Sequence, residues 1–348
     1  MTDPTLVAPY RAGGSERQPL SSEQVQRWRD EGYVFVDELL PADLIEAVMR
    51  FGAERFPAPG TPESFDMRNF GSSVVFPTLN AAFDAVTLHP RILDAVSQLL
   101  DRPVADLRLT QSDLWPKYGR AQPDGPAEDL YDNNDQRIHV DYPNHMLTHP
   151  TPWDRPSAVE IIIYYSDRSA CGGPTAVVPR QGADDPLYPW PILGAPGIGD
   201  LRWVNDRATA ESYLAEHRPD LVEFRQQLYD REVHTDFRPG AVLLYRHDVW
   251  HRGTPLRTGP TMRLAQNLTI RLAEAEWIST VHRGWSWTMY KPDHYFERFI
   301  AQADVDQRAV LGFPPPGASY WCEATVDAVE ARFGPFGFDP APYRLALT

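Results

Sequence analysis

The sequence has very little cysteine and lysine. Only Cys171 and Cys322 are present, which excludes a disulfide framework and a cysteine-rich zinc or iron–sulfur site and makes a reducing cytoplasm the expected location. Lysine occurs only at Lys117 and Lys291, and arginine supplies the other positive side chains. We interpret this scarcity as a compositional habit, so Lys117 is of minor interest at this point.

Long apolar runs and a targeting segment are also lacking. No stretch approaches the roughly 18 consecutive apolar residues of a membrane-spanning helix. The first twenty residues have neither the basic nor the apolar region of a signal peptide. We therefore expect neither secretion nor membrane spanning. With 348 residues and 42% hydrophobic content, the chain can bury a substantial core.

Acidic residues outnumber basic ones, and the formal net charge is −15. Nonspecific nucleic-acid binding depends on lysine and arginine displacing counterions from the phosphate backbone. We therefore expect no nucleic-acid partner, and a small molecule is the expected ligand. The sequence does not indicate an oligomeric state.

Residues 1–20 lack periodicity and are rich in proline, glycine and polar residues, which predicts a flexible arm. Residues 21–348 are predicted to form one domain. Its first part, about 21–100, shows apolar residues at helical spacing and predicts a helical layer. The predicted helices run from Ser21 to Gly32, from Pro41 to about Phe56 and from His89 to Leu100, with a strand, YVFVDELL, after the first.

From about 104 to 271 the apolar runs become short and rich in Val, Ile, Tyr and Thr, which is typical of strands. The predicted fold class is therefore mainly β with flanking helices: a jelly-roll core behind an N-terminal helical layer. Residues 272–348 are expected to wrap this core. Loops of functional length are predicted at 119–136, 142–156 and 181–206.

The central motif is Ile138-His139-Val140-Asp141. In an extended strand, side chains two residues apart leave the same face, so His139 and Asp141 can project together. A third ligand is predicted at His251, directly after the strand-like AVLLYR. Two imidazoles and one carboxylate on one side of a metal suit Fe(II) and oxygen chemistry. The alternative for the isolated pair is a surface histidine beside a turn aspartate.

His247 competes with His251 as a ligand, because a spacing of four puts two histidines on one face of a helix. Gly253 and Pro255 follow closely, so the segment is interpreted as a strand that enters a loop. His251 is therefore preferred, and His247 is interpreted as a bystander.

Arg263 follows shortly, at the start of RLAQNLTIR. Alternation places Arg263, Ala265, Asn267 and Thr269 on one face, which suits a polar barrel interior. A buried arginine needs a carboxylate partner, and its planar fork matches one in bidentate fashion. The alternative is an ordinary arginine at a solvent-exposed edge.

Taken together, these residues resemble the phytanoyl-CoA dioxygenase family of Fe(II)/2-oxoglutarate oxygenases. The likeness runs from about Leu20 to Arg271. Its motifs are SSEQVQRWRDEGYVFVDELLPADLIEAV, LTQSDLWPK, His139-Val140-Asp141, Gly172-Gly173-Pro174-Thr175 and PGAVLLYRHDVWHRGTPLRTGPTMRLAQNLTIR.

The resemblance implies that His139, Asp141 and His251 hold iron and that Arg263 binds the distal carboxylate of 2-oxoglutarate. It also implies that Thr175, Thr254 and Gln111 contact this cosubstrate, although each is equally well explained as a structural polar group. The implied reaction uses O2, releases succinate and CO2, and most simply hydroxylates a small organic metabolite. Because halogenating relatives replace the carboxylate ligand, Asp141 favours oxidation without halide.

Two departures from the family pattern concern the pocket rim and turn chemistry. The family commonly continues Gly-Pro-Leu with Pro-Gly-Ser-His, whereas this chain has Val178-Pro179-Arg180-Gln181-Gly182. The family also commonly has Gly-Asp where this chain has Gly240-Ala241. They weaken inference about the substrate. Trp115, Tyr142, Trp153 and Trp250 are candidates for an apolar pocket wall, although core packing explains them as well. Two other classes stay open, namely a cupin-like metal-dependent isomerase or hydrolase and a non-catalytic ligand-binding jelly roll.

Overall fold

The computed structural model describes residues 5–65, 67, 73–78, 80–119, 135–196, 201, 205–257, 259–275 and 294–347. Two β-sheets form its centre, one of seven strands and one of four. The strands are β1 (Leu6–Val7), β2 (Tyr10–Arg11), β3 (Tyr33–Asp37), β4 (Val74–Val75), β5 (Leu107–Tyr118), β6 (Ala158–Tyr164), β7 (Thr175–Val177), β8 (Val233–Thr235), β9 (Val242–Tyr245), β10 (His251–Gly253) and β11 (Met262–Leu272).

The large sheet has the order β2-β3-β9-β6-β11-β5-β4, and the small sheet has the order β1-β8-β7-β10. An apolar cluster between the two sheets includes Tyr164 and Leu243 from the large sheet and Val177 from the small one. A larger cluster joins the other face of the large sheet to the helices. Alternation along each strand therefore sends one set of side chains into the barrel and the other into the helical layer.

The helices are α1 (Ser22–Glu31), α2 (Ala42–Arg55), α3 (Pro62–Phe65), α4 (Ala81–Thr87), α5 (Pro90–Leu100), α6 (Tyr142–His145), α7 (Arg168–Cys171), α8 (Arg207–His217), α9 (Val222–Arg231), α10 (Tyr295–Gln302), α11 (Val305–Val310), α12 (Glu323–Phe333) and α13 (Ala341–Leu345). No helix in these described ranges is both long and apolar enough to cross a membrane.

The predicted helices of the N-terminal layer are confirmed. Ser21 caps α1 in a reciprocal capping box with Gln24, and Gly32 ends the helix with a φ of 89°. Helix α2 begins directly after Pro41 and ends before Phe56. Helix α5 begins at Pro90, where the missing N–H of a proline costs no intrahelical hydrogen bond, and buries Ile92, Val96 and Leu99.

The segment from residue 5 to 20, for which the sequence predicts a flexible arm, lies against both sheets. Leu6 and Val7 pair in parallel with β8, and Tyr10 and Arg11 pair in parallel with β3. The Gln24 side chain donates to the Arg11 carbonyl at 2.7 Å. Backbone pairing of this kind needs no apolar periodicity, which explains why the composition gave no indication of it.

Helices α8 and α9 lie in the region where the sequence predicts only strands and loops. Helix α8 buries only Ala210 and Leu214, so its amphipathic pattern is weak. The two helices are joined by an ion pair in which Arg225 donates to both carboxylate oxygens of Glu211, at 2.5 and 2.7 Å. The contact that stabilises this helix pair is therefore polar, and hydrophobic periodicity cannot reveal it.

The C-terminal helices pack against the 142–156 loop. Arg332 of α12 is buried and donates to the Met146 and Thr148 carbonyls, and the Tyr320 hydroxyl donates to the His149 carbonyl at 2.6 Å. Most of the predicted 119–136 loop, part of 181–206 and the start of the C-terminal segment lie outside the described residues.

Candidate metal centre

His139 and His251 lie opposite each other on neighbouring extended segments. Their backbones form an antiparallel bridge in which each N–H donates to the other's carbonyl, at 2.9 and 2.8 Å. The two imidazole rings therefore lie side by side, with centroids 4.5 Å apart. One rung of backbone pairing thus positions two of the three predicted ligands.

Asp141 completes the group. The sequence predicts an extended strand here, but Asp141 has a φ of −85° and a ψ of −20° and begins helix α6. Its carboxylate still turns toward both histidines: Oδ1 lies 3.6 Å from His139 Nε2 and Oδ2 lies 3.3 Å from His251 Nε2. One ligand atom of each side chain lies within 4.8 Å of the others. The three side chains are thus close enough to bind one ion.

The other ring nitrogens are already engaged. His139 Nδ1 lies 3.1 Å from the Arg137 carbonyl, and His251 Nδ1 lies 3.0 Å from the Val249 carbonyl. Nδ1–H donation to a carbonyl fixes the tautomer in which the Nε2 lone pair is free for a metal. The Tyr245 hydroxyl donates to Asp141 Oδ2 at 2.8 Å, which orients the carboxylate.

The electrostatics of His139 and Asp141 are those of a cation site. Burial and the neighbouring His251 hold the pKa of His139 well below 6.5. Burial alone would raise the pKa of Asp141, but His251 and His139 outweigh it and hold that pKa well below 3.8. His139 is therefore neutral and Asp141 ionised, which are the protonation states that coordinate a metal. Asp141 also raises the pKa of His251 against the effect of burial.

Arg263 is buried inside the barrel, with 4% of its surface exposed. It donates to the Gly173 carbonyl and lies 5.4 Å from the Trp115 ring. Burial lowers the pKa of Arg263, and no carboxylate of the described residues forms an ion pair with it. Leaving such a charge uncompensated costs about 3–5 kcal/mol, so an anionic ligand at this position would stabilise the protein.

Lys117 is a residue that sequence reasoning passed over. It lies directly opposite Arg263 in the β5–β11 ladder, is 2% exposed, and donates to the Thr254 carbonyl at 2.9 Å. The barrel therefore has two adjacent buried cations. Only the strand register brings them together, and a single sequence does not give that register.

The predicted hydroxyl donors lie near this end of the barrel but have protein partners. Thr175 Oγ1 accepts from the Tyr164 hydroxyl at 2.7 Å, and Thr254 Oγ1 donates to the Pro174 carbonyl at 2.6 Å. Gln111 pairs with Thr269 and donates to Asp113 at 2.7 Å. It thus lies six ladder positions from Lys117 and is not brought together with Arg263.

Of the predicted aromatic wall, only Trp115 lies on the strand face that carries Lys117. Tyr142 is fully buried and donates to the Ile192 carbonyl at 2.6 Å. Trp250 is also fully buried, donates to the Leu187 carbonyl at 2.9 Å, and packs edge-on against Phe224. Trp153 packs against Tyr188 and Arg246. These contacts are those of packed core side chains, and a role of the four rings as a pocket wall stays a prediction.

No protein-family model matches the chain, and no curated protein matches it in sequence. Among solved structures, EvdO2 from Micromonospora carbonacea var. aurantiaca superposes with a TM-score of 0.51 at 13% identity, over 76% of this chain and 94% of that one. The chain shares the fold of EvdO2. This confirms the predicted jelly-roll class, while membership of the phytanoyl-CoA dioxygenase family stays a prediction.

Two further structures are similar at lower scores. The epimerase SnoN, in complex with Fe3+, alpha ketoglutarate and nogalamycin RO, has a TM-score of 0.48 at 19% identity and covers 75% of this chain and 86% of its own. EctD from S. alaskensis, with 2-oxoglutarate and 5-hydroxyectoine, has a TM-score of 0.48 at 16% identity and covers 78% of this chain and 81% of its own.

Proposed function

We propose that the protein is an Fe(II)/2-oxoglutarate-dependent oxygenase that hydroxylates a small organic molecule in the cytoplasm. The observation that carries this proposal is the convergence of His139, Asp141 and His251, with one ligand atom of each within 4.8 Å of the others and both Nε2 atoms within 3.6 Å of the carboxylate. Two imidazoles and one carboxylate leave three positions of an iron free. EvdO2, whose fold the chain shares, has also been crystallised with 2-oxoglutarate.

The buried cations supply the second part of the proposal. Arg263 and Lys117 would receive the distal carboxylate of 2-oxoglutarate, with Trp115 packed against the guanidinium. An isomerase or hydrolase that uses the same metal ligands has no need of a buried arginine such as Arg263 in the same barrel. Its presence therefore favours the oxygenase over the cupin-like alternative.

The residues around the metal centre hold and orient its ligands in the proposed reaction. When bound, iron and 2-oxoglutarate with O2 supply the oxidising chemistry and release succinate and CO2. The Arg137 and Val249 carbonyls hold the two imidazoles in the tautomer that coordinates, and Tyr245 orients the Asp141 carboxylate. Ionised Asp141 occupies the position that halogenating enzymes leave open, so we propose hydroxylation as the simplest outcome.

The test begins with binding and ends with turnover. Anaerobic protein is titrated with Fe(II) and then with 2-oxoglutarate, and the charge-transfer absorption of the chelate is recorded. Succinate release under O2 is then measured with a panel of small molecules. We expect His139→Gln and Asp141→Asn to abolish both signals while far-UV circular dichroism stays unchanged. Full succinate release by both variants would refute the proposal.

A further inference from the structure

A second group of potential metal ligands lies beside the metal centre. It consists of His145, Glu160 and His247, which we call the second cluster, and it shares Asp141 with the centre. One ligand atom each of Asp141, His145 and Glu160 lies within 4.8 Å of the others. His247 Nδ1 lies 2.6 Å from Glu160 Oε1, and His145 Nε2 lies 3.8 Å from the same oxygen. Asp141, His145 and Glu160 therefore meet the distances expected for ligands of one ion, and His247 lies against the Glu160 carboxylate.

The cluster has an electrostatic deficit. The Glu160 side chain is 5% exposed, and its ion-pair partners among the described residues are His145 and His247, with no lysine or arginine. Its Oε2 accepts from the Thr269 hydroxyl at 2.5 Å, which leaves Oε1 to face the two histidines. A buried carboxylate without a matching cation costs several kcal/mol. Something with positive charge is expected at Oε1.

Hydrogen bonds do not account for the cluster. Despite their short separation, Glu160 Oε1 and His247 Nδ1 make no hydrogen bond with correct geometry, and His247 Nε2 also has none among the described residues. Buried polar atoms are almost always hydrogen-bonded or bound to an ion. Glu160 Oε1 is therefore a buried carboxylate oxygen that is left to coordinate an ion together with Asp141 and His145.

The backbone positions the cluster firmly. His145 is four residues after Asp141, at the end of helix α6, so both side chains lie on one face of that turn. The N–H groups of Asp141 and Tyr142 both donate to the His247 carbonyl, at 3.0 and 3.1 Å. His247 is in turn four residues before His251. The segments that contribute Asp141 and His251 to the metal centre thus each also contribute a histidine to the second cluster.

We propose that the barrel binds a second divalent metal ion through Asp141, His145 and Glu160, with the Asp141 carboxylate bridging the two ions and His247 holding the Glu160 carboxylate in place. Bridged pairs have metal ions about 3.5–4 Å apart, one carboxylate oxygen on each. Mixed imidazole and carboxylate donors favour first-row ions such as Mn2+, Fe2+ or Zn2+. The second ion neutralises Glu160 and offers a binding point for an oxygen atom of the substrate. This site does not require that the proposed oxygenase activity be correct.

Metal stoichiometry tests the proposal without reference to activity. The full chain is stripped with a chelator, loaded anaerobically with Mn2+, desalted and analysed by inductively coupled plasma mass spectrometry. We expect about two ions per chain, and an electron paramagnetic resonance spectrum of an exchange-coupled pair. About one ion per chain at saturation, with the six-line spectrum of isolated Mn2+, would overturn the proposal.

Variants assign the two ions to their ligands. Glu160→Gln and His145→Gln should each lower the stoichiometry from about two to about one, with the coupled spectrum replaced by that of isolated Mn2+. His149→Gln replaces another fully buried histidine and should retain both ions. His139→Gln should lose the ion at the metal centre and keep the other. If the wild type binds two ions per chain and Glu160→Gln still binds two, the second ion is bound elsewhere and the proposal is contradicted.

Discussion

At the scale of single residues, the buried charged side chains are the features that point most directly to a ligand. Arg263 and Lys117 are both nearly inaccessible and are opposite one another in a ladder. Two like charges in a low-dielectric interior repel each other, and removal from water costs each several kcal/mol. Because Arg263 has no carboxylate partner among the described residues, an anion at this position would compensate its charge.

Replacing Arg263 tests this compensation directly. Arg263→Leu should raise the concentration of 2-oxoglutarate needed for half-maximal binding by about 100- to 4,000-fold, since breaking a buried charge pair costs about 3–5 kcal/mol. Isothermal titration calorimetry of the Mn2+-loaded protein measures this affinity for 2-oxoglutarate. Arg257→Leu, which removes an exposed arginine, serves as the control and should leave the affinity within twofold. An unchanged affinity in Arg263→Leu would show that the anion is bound elsewhere.

His149 shows how burial fixes a protonation state. It is fully buried; Nδ1 lies 3.0 Å from the Pro150 carbonyl and Nε2 accepts from the Ile192 N–H at 2.9 Å. Burial lowers the pKa of His149 from 6.5 to about 4. A proton on Nε2 would meet another N–H donor, so the folded protein keeps this ring neutral.

A pH dependence of stability follows. The unfolded chain binds a proton at His149 below about pH 6.5 and the folded chain only below about pH 4, so stability is full above pH 6.5 and falls as the pH drops toward 4. The loss approaches about 3 kcal/mol. Urea unfolding between pH 7 and 4 should show a shallower decline for His149→Gln than for the wild type. His217→Gln, at an exposed histidine, should follow the wild type, and parallel curves for all three proteins would contradict the argument.

At the scale of elements, the end of helix α1 connects the helical layer to the metal centre. Gly32 has a φ of 89°, and a Cβ at this position would lie 2.4 Å from Val249 and 2.8 Å from Trp153. Val249 provides the carbonyl next to His251 Nδ1. Close packing of a helix end on this loop therefore helps to hold a metal ligand in place.

Comparison of two glycines separates conformational strain from packing. Gly182 has a φ of 85°, and an added Cβ would have no neighbour within 4 Å, so Gly182→Ala should cost only about 1 kcal/mol in the free energy of unfolding. Gly32→Ala adds overpacking of about 1–3 kcal/mol and should also weaken Mn2+ binding. Chemical denaturation and metal titration measure the two effects. Equal losses of stability in both variants would mean that the loop moves aside freely.

Elements with their own local signals were predictable, and those that depend on distant partners were not. The capping box of α1 and the proline that starts α5 mark helix ends within a few residues. The short strands β1 and β10 exist only because another strand lies beside them. The His139, Asp141 and His251 set could be selected by residue type and order, whereas Lys117 and Glu160 depend on register and cross-strand position.

At the scale of the whole molecule, ligand binding and folding are linked. A ligand that binds only the folded state stabilises it by about 2.7 kcal/mol at a concentration 100 times its dissociation constant. Adding 2-oxoglutarate to Mn2+-loaded protein should therefore raise the melting temperature by roughly 5 °C. Differential scanning fluorimetry measures the increment. His139→Gln should lose it, and an equal increment in that variant would show that 2-oxoglutarate binds away from the metal centre.

The charge of the whole chain bears on the choice of substrate. A net charge of −15 disfavours long-range attraction of a polyanion. An acyl-CoA, with its phosphates, would need a basic rim, so the family that the sequence resembles does not identify the substrate. A neutral or cationic metabolite is the better starting set for a screen.

The rung shared by His139 and His251 also restricts how this chain can vary in length. Inserting or deleting one residue in either extended segment, just before the histidine, would reverse which side chains face inward, so an imidazole would turn outward although it had not been mutated. Changes of two residues would restore the orientation. Insertions or deletions of an even number of residues near the metal centre are thus expected to be tolerated. An odd number would abolish metal binding as completely as loss of the ligands themselves.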